Sequence, residues 1–169
     1  MATKTTAPST RLFSTRNDLP AEKREQMIEL LNQHLADLSD LYSQVKYAHW
    51  NIKGKQFYQL HELFDQLAER VETHVDTVAE RATALGGTAQ GTVRQAAARS
   101  QLAEYPPVVD AMDHVDALAD RYATVGASVR SAIETAADAG DADTADLFTQ
   151  VSRELDQDLW FLEAHLQGK

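Results

Sequence analysis

From Met27 onward apolar residues return every three or four positions, through Leu30, Leu31, Leu35, Leu38, Leu41, Tyr42 and Val45. That period matches the turn of a helix with one buried face and predicts a long first helix. Asp18 offers an N-cap just before Pro20, a residue type favoured in a first helical turn, and Gly54 ends the helix at the latest. A second helix is predicted from about Tyr58 to Leu85, with Leu60, Leu63, Phe64, Leu67, Val71, Val75, Val78, Ala82 and Leu85 on its buried side. Gly86 and Gly87 are its stop. Segment 88–105 is too long for a tight turn; it contains "VRQAAARSQ", read as a short extra helix, and closes at "YPP". A third helix is expected from about Pro107 to Ala139, broken by Gly140, and a fourth from about Asp143 to Leu166, with Trp160 in the core. Nothing alternates like a strand, so the predicted class is all-α. Four long helices with one long crossover connection imply a four-helix bundle.

Residues 1–17 change the picture, because they are rich in Thr, Ser and Ala and show no apolar period. They are expected to form a flexible or loosely docked N-terminal tail, with the bundle domain over 18–169. The net charge of −10 is uneven: the first twenty residues are near +2 and the remaining 149 near −12. A body this acidic repels nucleic acid and attracts cations, although acidity also serves plain solubility. The absence of cysteine removes disulfides and thiolate ligands, so any metal must use nitrogen and oxygen donors. No apolar run reaches the length of roughly eighteen residues that spans a bilayer, and the N-terminus lacks the apolar centre of a secretory signal. The expectation is a cytoplasmic protein without membrane contact.

The second helix holds the candidate chemistry. With His61 at angle zero, Asp65 falls at about 40°, Asp76 at about 60° and Glu80 at about 100°, with Glu69 and Glu72 in the same arc. Arg70 and Arg81 lie near 180° and 200°, roughly opposite, and leave the stripe unneutralised within its helix. Such a stripe is often only a solvated face. Histidine and carboxylate are, however, the donors that suit iron, manganese and zinc, and His61 with Asp65 has the i, i+4 spacing that aims two side chains at one ion. Asp76 and Glu80 repeat it. Asp65 and Asp76 are separated along the helix by roughly 16 Å, while ligands sit about 2 Å from their ion, so one chain cannot close the site. Two copies packed antiparallel about a two-fold axis would bring the His61/Asp65 end of one helix to the Asp76/Glu80 end of the other. His49, near the end of the first helix, supplies a second imidazole after the turn "NIKGKQ". Di-iron bundles that hold their centre inside one subunit use Glu-x-x-His pairs. The residues three before the six histidines are Leu31, Lys46, Tyr58, Val71, Ala111 and Leu162, so that arrangement is absent from this chain. His34, His74, His114 and His165 show no partner pattern and read as surface or packing residues.

The run "AHWNIKGKQFYQLHELFD", followed by "HVDTVAERATALGG", "LADRYA" and "GDADTADLFTQVSRELDQDLWFLEAHL", resembles the Dps family of mini-ferritins, over about residues 20–167. The resemblance implies a ferritin-like four-helix bundle with a short extra helix between helices two and three, assembled as a homododecameric shell in a bacterial cytoplasm or nucleoid. It also implies ferroxidase centres at two-fold interfaces, with His49, His61 and Asp65 from one subunit and Asp76 and Glu80 from its partner. The substrates implied are Fe(II) and hydrogen peroxide, with ferric mineral stored inside and zinc or manganese as substitute metals. Trp50 matches a family tryptophan near the centre, where it would intercept a stray oxidising equivalent or serve simply as an aromatic anchor. Asp141 and Asp146 match positions that line acidic three-fold pores, although Asp141 or Asp143 can also act as a helix N-cap.

DNA binding varies within that family and often uses a lysine-rich tail. Here the candidate contacts are Lys4, Arg11 and Arg16, with Lys169 at the far end. Twelve tails would act together in a weak, salt-dependent contact, against an acidic body. The alternative function is therefore a non-enzymatic nucleoid protein that compacts and shields DNA in stationary phase.

Overall fold

The computed structural model describes residues 11–168. Its helices are α1 (Ala21–Asn51), α2 (Phe57–Ala84), α3 (Val93–Arg99), α4 (Ala111–Ala139) and α5 (Ala142–Leu166). Among the described residues there is no strand, only one isolated parallel bridge between Lys53 and Asp110. The all-α class and the bundle with a short extra helix are thus as the apolar period predicts. Helix α1 packs chiefly on α2 and α4 on α5, with the long 85–110 connection between the two hairpins. Their apolar faces meet in one core that includes Met27, Leu31, Leu38 and Leu41 of α1, Phe64 and Leu67 of α2, Tyr122 and Val129 of α4, and Phe148 and Leu162 of α5. Each of these side chains removed from water contributes roughly 1.5–3 kcal/mol, which is why a four-fold apolar stripe suffices to specify the bundle.

Helix ends depart from expectation in two places, and at α5 one of two eligible caps is used. Asp18 makes no cap; Pro20 precedes α1 with no side-chain hydrogen bond, and Arg24 instead ties this corner together by donating to the carbonyls of Leu19 and Leu85. Helix α4 begins at Ala111 rather than Pro107, where Asp110 caps the start by accepting from Met112 N–H at 2.9 Å. Helix α5 is capped by Asp141, not Asp143. Thr92 and Gln95 form a capping box that starts α3.

One further expectation is corrected. Trp160 is not core but 59% exposed. The buried face of α5 carries Phe148, Val151, Leu155, Asp158 and Leu162, and Trp160 sits about 140° around the helix from Leu155. Part of the expected tail is docked: Phe13 N–H donates to Gly86 O at 2.7 Å and Leu12 packs against the core. Gly86 has φ +90, and a Cβ there would meet the Phe13 carbonyl at 2.7 Å. The turn after α2 therefore needs glycine both for its left-handed backbone and for the tail's approach.

Candidate metal centre

Helices α1 and α2 run antiparallel, so His49 in the last turn of α1 faces His61 in the second turn of α2 across a five-residue connection anchored by buried Ile52. The two imidazoles stack with centroids 3.7 Å apart and planes 19° from parallel. Each uses Nδ1 on the other's backbone: His49 Nδ1 lies 2.9 Å from His61 O, and His61 Nδ1 2.9 Å from His49 O. A carbonyl can only accept, so both Nδ1 atoms carry a proton, and in the neutral rings both Nε2 atoms keep a free lone pair. A backbone acceptor on one ring nitrogen is the arrangement that fixes the tautomer and orientation of a metal-ligating histidine.

Asp65 lies one turn further along α2, with His49 Nε2 3.9 Å from Asp65 Oδ1. The same Oδ1 accepts from Lys46 Nζ at 2.6 Å. That hydrogen bond, together with the charges of Lys46, His49 and His61, holds the Asp65 carboxyl below its ordinary 3.8, against a smaller opposing effect of burial. Lys46 occupies a place where a cation would sit beside Asp65, and the spacing argument does not single it out. Its position three residues before His49, on the same face of α1, is the signal that could have marked it.

Asp76 and Glu80 are exposed on the outer face of α2, well down the helix from His61. Among the described residues no three His, Asp or Glu side chains of one chain converge on a point that could hold an ion. The structure therefore brings together His49, His61 and Asp65, and leaves Asp76 and Glu80 apart from them. An open groove of about 550 Å³ on α1, α2 and α3 has a lining that includes Lys46, Trp50, Glu72, Val75, Ala96 and Leu102. Beside it Asp76 and Glu72 line a second hollow of about 460 Å³ with Leu35, Val75, Ala79 and Ala89. Trp50 is 69% exposed at the groove and is not buried as a packing anchor within this chain.

The arginines on the other side of α2 are spent on α5. Arg70 donates to buried Asp158 at 2.8 Å, and Arg81 donates to Asp141 at 2.7 Å. Burial pushes the Asp158 carboxyl up and Arg70 opposes the shift. Asp141 is only 2% exposed: it accepts from Thr144 N–H and hydroxyl as well as from Arg81. Its carboxylate is thus engaged as a cap and ion pair, and of the two residues expected in a pore only Asp146 is exposed. Of the expected DNA contacts, Arg11 and Arg16 are exposed and Arg11 lies 4.9 Å over the Phe13 ring; Lys4 lies outside the described residues. His34, His74 and His114 are buried packing residues and His165 is exposed.

Comparison with known proteins defines the class first: the ferritin-like domain family matches residues 28–168. The chain is 46% identical to the "DNA protection during starvation protein" of Agrobacterium fabrum, over 92% of this chain and 96% of that one. Among solved structures, DpsA14 of Streptomyces coelicolor superposes with a TM-score of 0.89 at 34% identity, covering 95% of both chains. The Dps protein of Mycobacterium smegmatis superposes with a TM-score of 0.89 at 30% identity, covering 94% of this chain and 96% of that one. A Dps protein of Vibrio cholerae, described as a member of a broad superfamily of ferritin-like diiron-carboxylate proteins, reaches 0.86 at 25% identity, over 93% of this chain and 99% of that one. The chain belongs to the Dps family. No helix among the described residues is long and apolar enough to cross a membrane.

Proposed function

We propose that the protein is a ferroxidase that oxidises Fe(II) with hydrogen peroxide and stores the ferric product inside a homododecameric shell, protecting the cell from oxidative damage. The observation that carries this reading is the reciprocal His49/His61 pair, whose Nδ1–H groups are tied to backbone carbonyls while both Nε2 atoms remain available beside Asp65. Iron is the substrate. His49, His61 and Asp65 of one subunit, with Asp76 and Glu80 of another packed across the groove, are the ligands. Two Fe(II) ions each give one electron to one peroxide, its O–O bond breaks, and with two protons two waters form, so no hydroxyl radical is released. Zinc or manganese would occupy the same nitrogen and oxygen donors without turning over. Asp146 would help draw cations toward the shell, with Asp141 contributing through the cap and ion pair that shape the same loop.

The test is stopped-flow ferric absorbance after anaerobic mixing of Fe(II) with peroxide. Wild type is expected to outpace the protein-free control, and His49→Ala with Asp76→Ala to fall back to it. Equal rates in all three would sink the reading.

Exposed Arg11 and Arg16, and relatives named for DNA protection, favour a second activity: weak shielding of DNA by many tails at once, with Lys4 as the third contact. A low-salt gel shift that is abolished by deleting residues 1–17 is the expected result. If no retardation occurs in the wild type, or if the deletion leaves it unchanged, the tail plays no such part.

A further inference from the structure

His114 shows no partner pattern in the sequence, and nothing in the candidate metal centre uses it. In the structure it is fully buried near the N-terminus of α4, and its Nε2 has no hydrogen-bond partner. Its Nδ1 lies 3.0 Å from the hydroxyl of Tyr105, which is itself only 8% exposed. The next acceptor for that hydroxyl, the His114 carbonyl, is further away at 3.4 Å. Tyr105 is also connected outward: its ring packs against Tyr47 with centroids 5.2 Å apart. Tyr47 is 40% exposed and lies one helical turn before Trp50 on α1, beside the turn that carries His49. Exposed Tyr47, one turn from Trp50 and two residues before His49, thus leads through one ring contact to a buried phenol with its own base.

We propose that Tyr105 and His114 form a redox-active pair that traps a one-electron oxidant as a buried neutral tyrosyl radical, the phenolic proton passing to His114 Nδ1. The oxidant is of the hydroxyl-radical class. It takes one electron from Tyr47 at the surface and becomes hydroxide, which solvent protonates to water. Tyr105 refills that vacancy through the ring contact and loses its proton to His114, so the hole ends on the Tyr105 oxygen and the positive charge on the imidazole. A phenol that loses an electron becomes a very strong acid, and without a base within hydrogen-bond reach its oxidation would be far harder. Burial disfavours a protonated His114 at rest, against smaller opposing influences of Asp113 and Asp110, while Lys53 acts with burial; this keeps the ring neutral and Nδ1 ready to accept. Burial also raises the Tyr105 phenol far above its ordinary 10.0, with Arg121 opposing and Tyr47 reinforcing the shift, so the hydroxyl keeps its proton until it is oxidised. The orphan Nε2 gives the transferred proton no onward partner, so it stays where it can return when the radical is reduced. Such a radical forms where a single Fe(II) gives one electron to peroxide outside the paired reaction, leaving Fe(III), hydroxide and the radical; that supply rests on the ferroxidase reading, and the pair itself does not.

The experiment uses the whole, iron-free protein with a flash-generated ruthenium polypyridyl oxidant, followed by transient absorbance and freeze-quench electron paramagnetic resonance. Wild type should give a long-lived neutral tyrosyl signal whose formation slows in deuterated water. Tyr105→Phe keeps the ring contact with Tyr47 and should lose the long-lived signal. His114→Gln keeps the phenol and should slow its oxidation and change its pH profile. An undiminished long-lived signal in Tyr105→Phe overturns the proposal, as does a His114→Gln protein with wild-type rate and isotope effect. Repeating the comparison with Fe(II) and peroxide separates the two readings. A tyrosyl signal by flash without iron oxidation would sink the ferroxidase reading alone, whereas iron oxidation with no flash-generated signal at Tyr105 would sink the pair.

Discussion

Asp65 shares one oxygen between Lys46 at 2.6 Å and the approach to His49 Nε2 at 3.9 Å. A cation arriving there must displace the ammonium group, so Lys46 sets an electrostatic threshold on the site. Lys46→Met should raise the Asp65 carboxyl toward its ordinary 3.8 in an NMR titration, and should tighten binding of the redox-silent Zn(II) by about tenfold in calorimetry. Unchanged values for both would show that the ion pair has no such effect. As the folded-state carboxyl is depressed, the stability it contributes is present above 3.8 and is lost as pH falls through the lower folded value. The buried histidines work over a higher window. Burial lowers His74, opposed by Glu154 and aided by Arg70, and burial also lowers His114. The unfolded chain therefore takes up these protons first as pH drops below the ordinary 6.5, and stability falls from there toward the folded values. Thermal melting should show this acid slope, and His74→Gln should flatten it. The metal-ligand candidates were legible in the sequence because donor type and i, i+4 spacing are local. Lys46 was not, because its relation to Asp65 exists only once two helices are packed.

Helices themselves follow directly from the apolar period, and their ends do not. Apolar spacing extends over many turns and averages out error, whereas a cap is one hydrogen bond for which neighbouring residues compete. Asp18 lost to a proline corner held by Arg24, and Pro107 lost to Asp110. At the start of α5, Asp141 and Asp143 were both eligible, and Asp141 won because Arg81 of α2 meets it there. That cap joins α2 to α5, so Asp141→Ala should cost about 1–3 kcal/mol in urea unfolding, from a lost cap and the loss of the stronger ion-pair partner of a half-buried arginine. Asp143→Ala, whose side chain is 85% exposed, should cost little by comparison. Trp160 illustrates the same limit: a large aromatic suggests burial, but its angle on α5 decides, and Asp158 takes the buried place through Arg70.

At the scale of the molecule, one chain presents two separate candidate ligand sets, His49/His61/Asp65 and Asp76/Glu80. If the proposed assembly is right, the protein should elute near twelve times 18.7 kDa, and a monomer that oxidises iron would refute the shared centre. Subunit mixing gives a sharper check. His61→Ala and Asp76→Ala proteins should each be inactive, yet refolding them together should restore about a quarter of the sites, because half of random pairs are mixed and each mixed pair rebuilds one centre. No recovery on mixing would show that the two half-sites do not meet.

By itself the sequence determined the helices, the bundle class and the five candidate ligands, since apolar period and ligand spacing are properties of a single helix written along the chain. For those five to serve one centre it also calls for a second subunit, because eleven residues of helix place Asp65 and Asp76 too far apart for one ion. Only the tertiary structure decided which donors are free and which are spent. Antiparallel packing of α1 on α2 tied both Nδ1 atoms to backbone and placed Lys46 on Asp65. Packing of α2 on α5 committed Asp141 to Arg81, and closure of the crossover segment on α4 joined Tyr105 to His114. Hydrogen bonds between residues distant in sequence depend on how faces meet, and no local period encodes that.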